Sequence, residues 1–369
     1  MILDPASDWD AVVIGAGPAG SVAASLLARS GRRTLLVERA TFPRTKVCGG
    51  CLAPAGVEAL GNAGFAAALD SIEPRALDTL HLHARLASAS YPIDRYLSIE
   101  RGRMDQAFVD HAVESGARHL GGCRARVRAD DSVLLESEGD ARVVHPGVVV
   151  VADGLAGNSL ADREDFAWRI DESSPMGAGA IVDRAPRGSH PEGITMRCGR
   201  DGYVGSSPLS DGRWVVAAAL DPRSVRSLGA RGAVGSVLAE TGLPDADDHP
   251  TAWKAVGHLT RRRARRCAGR VLLVGDAAGY VEPLTGEGMS WGICRAAGIV
   301  PFADRIDRGE DVSEDWSRSA DRMLGPRRLV CRGICGMARR PRLLAATLRV
   351  SRHLPLAGWA SRRLCWSGA

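Results

Sequence analysis

Lysine, long apolar runs and a secretory leader are missing or nearly missing from this 369-residue sequence. Only Lys46 and Lys254 are lysines among its 48 lysine and arginine residues. No apolar run reaches the roughly 20 residues that a membrane-spanning helix needs, which argues against an integral helical membrane protein. Asp4, Asp8 and Asp10 interrupt the start, and no basic segment precedes an apolar one, so we expect a cytoplasmic protein. Its nine cysteines are then reduced thiols and not a disulfide framework.

Positive charge is concentrated at the C-terminal end of the sequence. The net charge is +5, and 11 arginines but no acidic residue lie between Arg322 and the last residue. Arginine clusters of this kind bind nucleic acid or anionic lipid, or form the solvated face of a helix. Because no recognised nucleic-acid-binding motif accompanies the cluster, we expect no nucleic-acid partner. Peripheral membrane contact through this region stays open.

A glycine-rich turn after the first apolar run indicates a dinucleotide site. Gly15, Gly17 and Gly20 form G-x-G-x-x-G directly after residues 11–14, and Glu38 follows the second apolar run. The glycines permit a tight turn, close approach of the backbone to a pyrophosphate, and packing of the helix on the strand. The N–H groups at the helix start then face the phosphates, and Glu38 can accept hydrogen bonds from ribose hydroxyls.

Three further blocks follow the glycine-rich turn in order. They are Arg101-x-x-Met104-Asp105, Asp153-Gly154 after a buried strand, and Gly275-Asp276 with Pro283-Leu284-Thr285-Gly286-Glu287-Gly288 before a helix over 289–300. As a set, these blocks resemble the FAD-dependent oxidoreductases of the para-hydroxybenzoate hydroxylase fold. Cys48-Gly49-Gly50 and Gly279 are similar to the geranylgeranyl reductase branch, which reduces isolated alkenes in prenyl chains. Tyr203–Pro208 lacks the Trp and Phe of that branch's aromatic motif, so the apolar substrate is left open.

The resemblance implies an α/β fold with a Rossmann-like FAD-binding domain, an inserted antiparallel-sheet substrate domain and a helical C-terminal region. We expect the FAD-binding domain to be discontinuous, over residues 1–70, 96–165 and 260–310. The substrate domain takes residues 71–95 and 166–259, and the helical, arginine-rich region takes residues 311–369. Hairpin and turn signals over 176–220 favour an antiparallel sheet there.

The resemblance also implies the residues that contact FAD, from the ADP half to the isoalloxazine. These cofactor-binding candidates are Gly15, Gly17, Pro18, Ala19, Gly20, Glu38, Arg39, Cys48, Gly49, Gly50, Arg101, Asp153, Gly154, Gly275, Asp276, Pro283, Gly286, Glu287, Gly288 and Met289.

The catalytic candidates are Cys48, Tyr203 and Tyr280, and Glu282 is a further candidate acid. Cys48 and Cys51 form C-x-x-C, which favours either a redox dithiol or a glycine-rich loop over the flavin. We expect no metal, because no second Cys/His pair has ligand spacing.

The resemblance therefore predicts hydride transfer between flavin N5 and a carbon–carbon double bond of an apolar lipid or natural-product substrate. One alternative is a monooxygenase that hydroxylates or epoxidises an apolar or aromatic substrate through a flavin hydroperoxide. A second alternative is a flavoprotein electron carrier at a membrane surface. No second G-x-G-x-x-G unit is present, so the electron donor is a transiently bound NADH or NADPH or an electron-transfer protein.

Overall fold

The computed structural model describes residues 8–44, 46, 48–243, 253–282 and 284–351. In chain order its strands are β1 (Ala11–Ile14), β2 (Thr34–Glu38), β3 (Cys51–Leu52), β4 (Arg75–Ala84), β5 (Ala87–Ser98), β6 (Arg118–Gly121), β7 (Arg124–Val127), β8 (Val133–Ser137), β9 (Asp140–Val144), β10 (Val148–Val151), β11 (Trp168–Ile170), β12 (Met176–Val182), β13 (Gly193–Gly199), β14 (Gly202–Pro208), β15 (Trp214–Leu220), β16 (Lys254–His258), β17 (Arg261–Arg263), β18 (Cys267–Ala268), β19 (Val271–Leu273) and β20 (Gly279–Tyr280).

The helices are α1 (Pro18–Arg29), α2 (Pro54–Asn62), α3 (Ala66–Asp70), α4 (Arg101–Glu114), α5 (Pro222–Glu240), α6 (Gly288–Ala297), α7 (Val300–Asp307), α8 (Ser313–Ala338) and α9 (Pro341–Ser351). Single turns of 3₁₀ helix lie at Glu164–Phe166 and Gly275–Ala278. No helix within these described ranges has the length and apolarity to cross a bilayer.

The first layer is a six-stranded sheet in the order β18-β19-β10-β1-β2-β6, parallel except for β18. Its central strands β1 and β10 are buried along their whole length, as their near-continuous Val and Ile content predicts for a sheet covered on both faces. α1, α4 and α6 cover one face, where Val22, Met104 and Ile293 join a large apolar core. The sheet β7-β8-β9 packs on the opposite face.

The second layer is an eight-stranded sheet in the order β16-β12-β15-β14-β13-β4-β5-β3. Its neighbours are antiparallel except for β13 and β4, which run parallel. α5 packs its Val234 and Val237 on one face of this sheet. Leu344 and Leu348 of α9 pack near the opposite face, together with Ala338 of α8. A further small sheet has the order β11-β17-β20.

The predicted fold class is confirmed, because a Rossmann-like parallel sheet, an antiparallel-type sheet and C-terminal helices are all present. Gly64, with a φ of 87°, lies between α2 and α3 and separates them. One helix differs in its bounds from the sequence expectation. The helix over 289–300 begins one residue earlier, at Gly288, and ends at Ala297. β7, β8 and β9 form a three-stranded antiparallel sheet. The division into domains stays a prediction.

Candidate active site

A cavity of about 490 Å³ lies between the parallel sheet, the eight-stranded sheet and the C-terminal helices. Its two ends differ in chemistry. One end is lined by backbone-rich segments and charged groups, among them Gly17, Lys46, Arg101 and Asp276. The other end is almost wholly apolar, with Leu80, Leu82, Ile93, Ile194, Met196, Val256, Leu259, Leu284, Ile334, Met337, Leu344 and Leu348. A ligand with a polar and an apolar contact region suits such a cavity.

The charged end is built on the turn between β1 and α1. Gly15 has a φ of 104°, and a Cβ there would lie 2.6 Å from the carbonyl oxygen of Ala152. Gly20 packs so closely that a Cβ would lie 1.8 Å from the Gly15 carbonyl oxygen. Both glycines are therefore required by the turn. Pro18 occupies the first position of α1, and the N-terminus of the helix opens on the cavity.

Two guanidinium groups face the same turn. A Cβ on Gly17 would lie 3.6 Å from Arg44 Nη2 and 3.7 Å from Arg101 Nη2. Arg101 is held by Asp105, whose Oδ1 accepts from Nε at 3.1 Å and from Nη2 at 3.0 Å. Arg44 Nη2 lies 3.0 Å from Asp105 Oδ2. A helix N-terminus with two nearby arginines favours a phosphate or diphosphate.

Glu38 lies at the end of β2 and braces the turn. Its Oε2 accepts from the Ala16 N–H at 3.0 Å, and its Oε1 accepts from the Ala40 N–H at 3.1 Å. Oε2 also lies 3.6 Å from Arg44 Nη2. The carboxylate is thus fixed beside the glycine turn, in the position from which a ribose hydroxyl can be bound.

Lys46 and Asp276 are two oppositely charged, half-buried groups in the cavity wall. Burial raises the pKa of Asp276, against the opposing charges of Lys46 and Arg101. Burial, together with the charge of Arg101, lowers the pKa of Lys46. A Cβ on Gly154 would lie 2.9 Å from Lys46 Nζ. The lysine side chain therefore packs closely against Gly154 in the Asp153-Gly154 turn. No sequence pattern points to Lys46, because it lies in an irregular loop.

A second glycine-lined helix start faces the middle of the cavity. α6 begins at Gly288, and Gly286, Gly288 and Met289 line the wall. Gly286 has a φ of 69°, and a Cβ there would lie 3.1 Å from the Cβ of Cys51. This close approach brings backbone and the Cys48–Cys51 loop together over one part of the cavity. A helix N-terminus at this point stabilises negative charge on a bound ring system.

Cys48 and Cys51 both line the cavity as free thiols. Cys51 Sγ donates to the Gly49 carbonyl oxygen at 3.4 Å, and Cys48 Sγ accepts from the Gly50 N–H at 3.4 Å. Burial raises the pKa of Cys51 to about 12, so Cys51 is a neutral thiol at physiological pH. A neutral Cys51 is a poor nucleophile, so in a redox dithiol the attacking thiol would be Cys48.

Tyr203, Tyr280 and Glu282 form an acidic group next to the apolar end. Tyr203 and Tyr280 line the cavity, and burial raises the pKa of both phenols well above the ordinary value. Glu282 is 2% exposed and forms an ion pair with Arg339. Burial raises the pKa of Glu282, while Arg339 and the neighbouring Tyr203 hydroxyl act in the opposite direction. Cys331 Sγ donates to the Glu282 carbonyl oxygen at 3.3 Å, which ties this loop to α8.

Most of the candidate residues line the cavity. The others lie behind its wall, at the protein surface or outside the described residues. Those on the cavity wall are Gly17, Pro18, Ala19, Cys48, Gly49, Arg101, Gly154, Tyr203, Gly275, Asp276, Tyr280, Gly286, Gly288 and Met289. Behind the wall lie Gly15, Gly20, Glu38, Gly50, Asp153 and Glu287, where Asp153 Oδ2 accepts from the Ser159 hydroxyl at 2.7 Å. Arg39 is exposed at the surface, and Pro283 lies outside the described residues. The wall residues Lys46 and Tyr96 were missed.

The residues fit a dinucleotide whose diphosphate is held at α1. The side-chain-free wall at Gly17 leaves room beside Arg44 and Arg101, and Asp276 and α6 lie farther along the same cavity. The charged groups of Lys46 and Asp276 line the cavity, and a ribityl chain with hydroxyl groups supplies polar partners for them. These are the contacts that FAD requires.

Comparisons with known proteins agree with this assignment. A family model described as an FAD binding domain matches residues 8–299. The menaquinone reductase of Mycolicibacterium smegmatis is 29% identical over 315 residues, covering 77% of this chain and 73% of that protein. The menaquinone reductase of Mycobacterium tuberculosis is 30% identical over 311 residues, covering 77% and 74%. FixC of Escherichia coli is 32% identical over 181 residues, covering 44% and 40%.

Solved structures share the fold at lower identity. The chondrochloren halogenase CndH superposes with a TM-score of 0.76 at 19% identity, covering 98% of this chain and 94% of that chain. PqsL of Pseudomonas aeruginosa in complex with 2-aminobenzoylacetate gives a TM-score of 0.72 at 22% identity, covering 93% and 100%. Identities this low show a common architecture and carry no information on substrate.

Proposed function

Because the chain belongs to the FAD-binding domain family and is an FAD-dependent oxidoreductase, we propose that it reduces a carbon–carbon double bond of an apolar substrate. The observation that carries this proposal is the continuity of the cavity. The glycine-lined part next to α6 opens directly into a section walled by Leu80, Met196, Met337 and Leu344. Two relatives are menaquinone reductases, so a menaquinone is the first substrate class to test.

Bound FAD supplies two-electron redox chemistry, and the chain supplies binding, exclusion of water and a proton. The start of α1 with Arg101 holds the diphosphate, and Asp276 with Lys46 holds the polyol chain. The apolar section binds the substrate chain and keeps water away from the double bond. Which nicotinamide or electron-transfer protein delivers the electrons is left to experiment.

The proton for the second carbon of the double bond is assigned to Tyr203 Oη. The phenol lines the cavity, and its raised pKa keeps it protonated at neutral pH. The adjacent Glu282 carboxyl can return a proton to Tyr203, and its partner Arg339 reaches partly exposed surface. Tyr280, also on the cavity wall, is the alternative donor, and Cys48 is the third candidate.

The test is a single turnover under anaerobic conditions. Purified holoprotein is reduced with dithionite and mixed with a menaquinone in detergent, and products are measured by mass spectrometry. The proposal expects reoxidation of the protein together with a product that, after any quinol has been oxidised back to the quinone in air, is still heavier than the starting menaquinone by two hydrogen atoms, because one side-chain double bond is saturated. An oxygenated product that forms only when oxygen is admitted would instead support the monooxygenase. Reoxidation only by a partner electron carrier would support the electron-carrier alternative.

We also propose that α8 and α9 contact an anionic membrane that delivers the apolar substrate. Leu329, Leu343 and Val350 are large apolar side chains with 69%, 51% and 63% of their surface exposed. Arg342 and Arg349 are exposed beside them on α9. The buried face of the same helix, with Leu344 and Leu348, lines the cavity. A basic, partly apolar helix face of this kind suits the interface of a bilayer with anionic lipids.

A further inference from the structure

Two histidines and a glutamate meet on the eight-stranded sheet, away from the flavin cavity. His81 lies on β4, and His190 and Glu192 lie in the connection between β12 and β13. One ligand atom from each residue lies within 4.8 Å of the other two. His81 Nε2 and His190 Nδ1 are each 3.7 Å from the same oxygen, Glu192 Oε1.

The cluster is on the far side of the cavity wall. Leu80 and Leu82 line the cavity, and because side chains alternate along a strand, His81 points to the opposite face of β4. None of the three residues lines the cavity. The cluster therefore has no part in the reaction proposed above, and its function can be tested independently of that reaction.

His81 has the internal arrangement of a metal ligand. It is 6% exposed, and its Nε2 has no hydrogen-bond partner among the described residues. Its other nitrogen, Nδ1, lies 2.8 Å from Ser90 Oγ. When Nδ1 carries the proton and donates to Ser90, Nε2 presents a lone pair to Glu192. Histidines that bind metals are oriented by such a bond from the second ring nitrogen.

The electrostatics of the cluster call for a cation. In the tautomer with the proton on Nδ1, the Nε2 lone pair and a Glu192 carboxylate oxygen lie 3.7 Å apart with no proton between them, which is unfavourable for a buried group. Asp78 also faces His81, whereas Arg197 lies nearer His83 and donates from Nη2 to the Gly188 carbonyl oxygen at 2.8 Å.

We propose that His81 Nε2, His190 Nδ1 and a Glu192 carboxylate oxygen bind one Zn²⁺ ion, with a water molecule as the fourth ligand. Two imidazoles and a carboxylate are ligands that Zn²⁺ accepts in a tetrahedral arrangement. Donors around a tetrahedral zinc are about 3.4 Å apart, from bond lengths of about 2.1 Å. The present separations of 3.7 Å from Glu192 Oε1 to each histidine nitrogen therefore need only a small contraction, and the two histidines present ligand nitrogens within 4.8 Å of each other.

Binding of zinc requires one local rearrangement. The His81 and His190 rings are stacked, with centroids 3.8 Å apart and an angle of 16° between their planes. Two imidazoles on one ion must splay apart, and His190, on a partly exposed connection, is the ring that can turn. The backbone of this connection is anchored, since the His190 N–H donates to Thr195 Oγ1 at 3.0 Å. The ion would thus join the β12–β13 connection to β4 behind the cavity wall.

The experiment is calorimetric titration of untagged, chelator-treated holoprotein with ZnCl₂. We expect one ion per chain for the unchanged protein, and Glu192→Gln and His81→Ala should each lower the affinity at least tenfold. Ser90→Ala, which removes the orienting hydroxyl, should weaken binding roughly 10- to 100-fold. His145→Gln, an exposed histidine elsewhere on the surface, is the matched control and should bind as the unchanged protein does.

Two results would overturn the zinc site. One is the absence of stoichiometric binding by the unchanged protein. The other is a zinc affinity in the Glu192→Gln and His81→Ala proteins equal to that of the unchanged protein, which would place the ion on the cysteine thiols or another group. If His81→Ala does not fold, Glu192→Gln and His190→Ala decide the matter, because both side chains are partly exposed. A rise in melting temperature with ZnCl₂ that is lost in Glu192→Gln is the second readout.

Discussion

At Gly17 the absence of a side chain leaves the start of α1 open to a phosphate. The Cβ position there is already within 3.6 Å of Arg44 and 3.7 Å of Arg101, so a larger side chain fills the space that an anion would take. We expect Gly17→Leu to weaken FAD binding at least tenfold, or about 1.4 kcal/mol. Quenching of FAD fluorescence on titration into apoprotein measures the affinity.

Gly61→Leu is the matched control for that change. Gly61 lies in α2 and is exposed, and no atom lies within 4 Å of its Cβ position. Its leucine variant should bind FAD as the unchanged protein does. Equal FAD affinity in the Gly17→Leu protein would show that the diphosphate is not held at this turn.

The phenol of Tyr203 is the proposed proton donor, and Tyr203→Phe removes only its hydroxyl. General acid catalysis typically contributes about 10²- to 10⁴-fold, so the rate of substrate reduction by prereduced protein should fall by that order. FAD affinity should be unchanged. Stopped-flow absorbance under anaerobic conditions follows the reaction.

Tyr91→Phe provides the comparison for the tyrosine substitution. Tyr91 also lines the cavity, and its hydroxyl lies 2.5 Å from Ser351 Oγ. Its loss should leave the rate of reduction close to that of the unchanged protein. A Tyr203→Phe protein that retains the full rate would move the role of acid to Tyr280 or Cys48.

The residues that could be predicted from sequence are those whose role is local. Gly15 and Gly20 follow from the chemistry of a strand–turn–helix, and the structure gives both the close contacts expected. Lys46 could not be predicted, because a lone lysine in an irregular loop has no periodicity or spacing. Its position in the cavity depends on the packing of Gly154, more than a hundred residues away in the chain.

Among the elements, whether a segment forms a strand or a helix was predictable where its hydrophobic pattern is strong. The residues at which the elements begin and end were not predictable. β10 is four consecutive valines and is buried as expected. α8 runs from Ser313 to Ala338 with Pro326 inside it, against the usual effect of proline on a helix. Its buried positions Trp316, Leu324 and Cys335 pack on the rest of the chain, so tertiary contacts outweigh the local cost.

The exposed face of α9 is the element whose role is most open to test. Replacing Leu343 and Val350 together by glutamate removes two apolar side chains from this face. It also adds two negative charges, which an anionic membrane surface repels. We expect partition onto vesicles that contain phosphatidylglycerol to fall by about tenfold or more, since burial of each side chain is worth roughly 1.5 kcal/mol. Flotation of the vesicles on a density gradient measures the bound fraction.

Point substitutions are preferred here to removal of the C-terminal region. Ile334, Met337 and Leu348 of α8 and α9 line the cavity, so truncation at residue 322 would open the substrate site as well. Leu228→Glu is the control, because Leu228 is 54% exposed on α5, across the sheet from α9. Flotation that is unchanged in the Leu343→Glu/Val350→Glu protein would remove the membrane role from this face.

For the whole molecule, the family and the layered fold were predictable because separate motifs occur in a fixed order. The order of the strands in the second sheet was less predictable, because the parallel pairing of β4 with β13 joins segments more than a hundred residues apart. The comparisons do not support the geranylgeranyl reductase branch, and the relatives reported above are menaquinone reductases and FixC. Cys48-Gly49-Gly50 and Gly279 are too short a pattern to separate branches that share one cofactor.

The cofactor site is assembled from segments spread over most of the chain, and this makes FAD a global stabiliser. Gly17, Arg101, Asp276 and Gly288 come from four separate elements that meet only in the folded protein. A ligand that binds the folded state alone stabilises it by about 2.7 kcal/mol at a free concentration 100 times its Kd. At roughly 2 °C per kcal/mol for a chain of this size, the melting temperature should rise by about 5 °C.

Circular dichroism melts of stripped protein with and without added FAD measure this shift. The Gly17→Leu protein, with an FAD affinity at least tenfold lower, should show about half of this shift or less at the same FAD concentration, whereas the Gly61→Leu protein should show all of it. A cofactor that bound to one isolated segment would give full occupancy by absorbance with no change in the melting temperature. That result would contradict convergence of the four elements on one FAD molecule, because the free energy of binding would then not be coupled to folding of the whole chain.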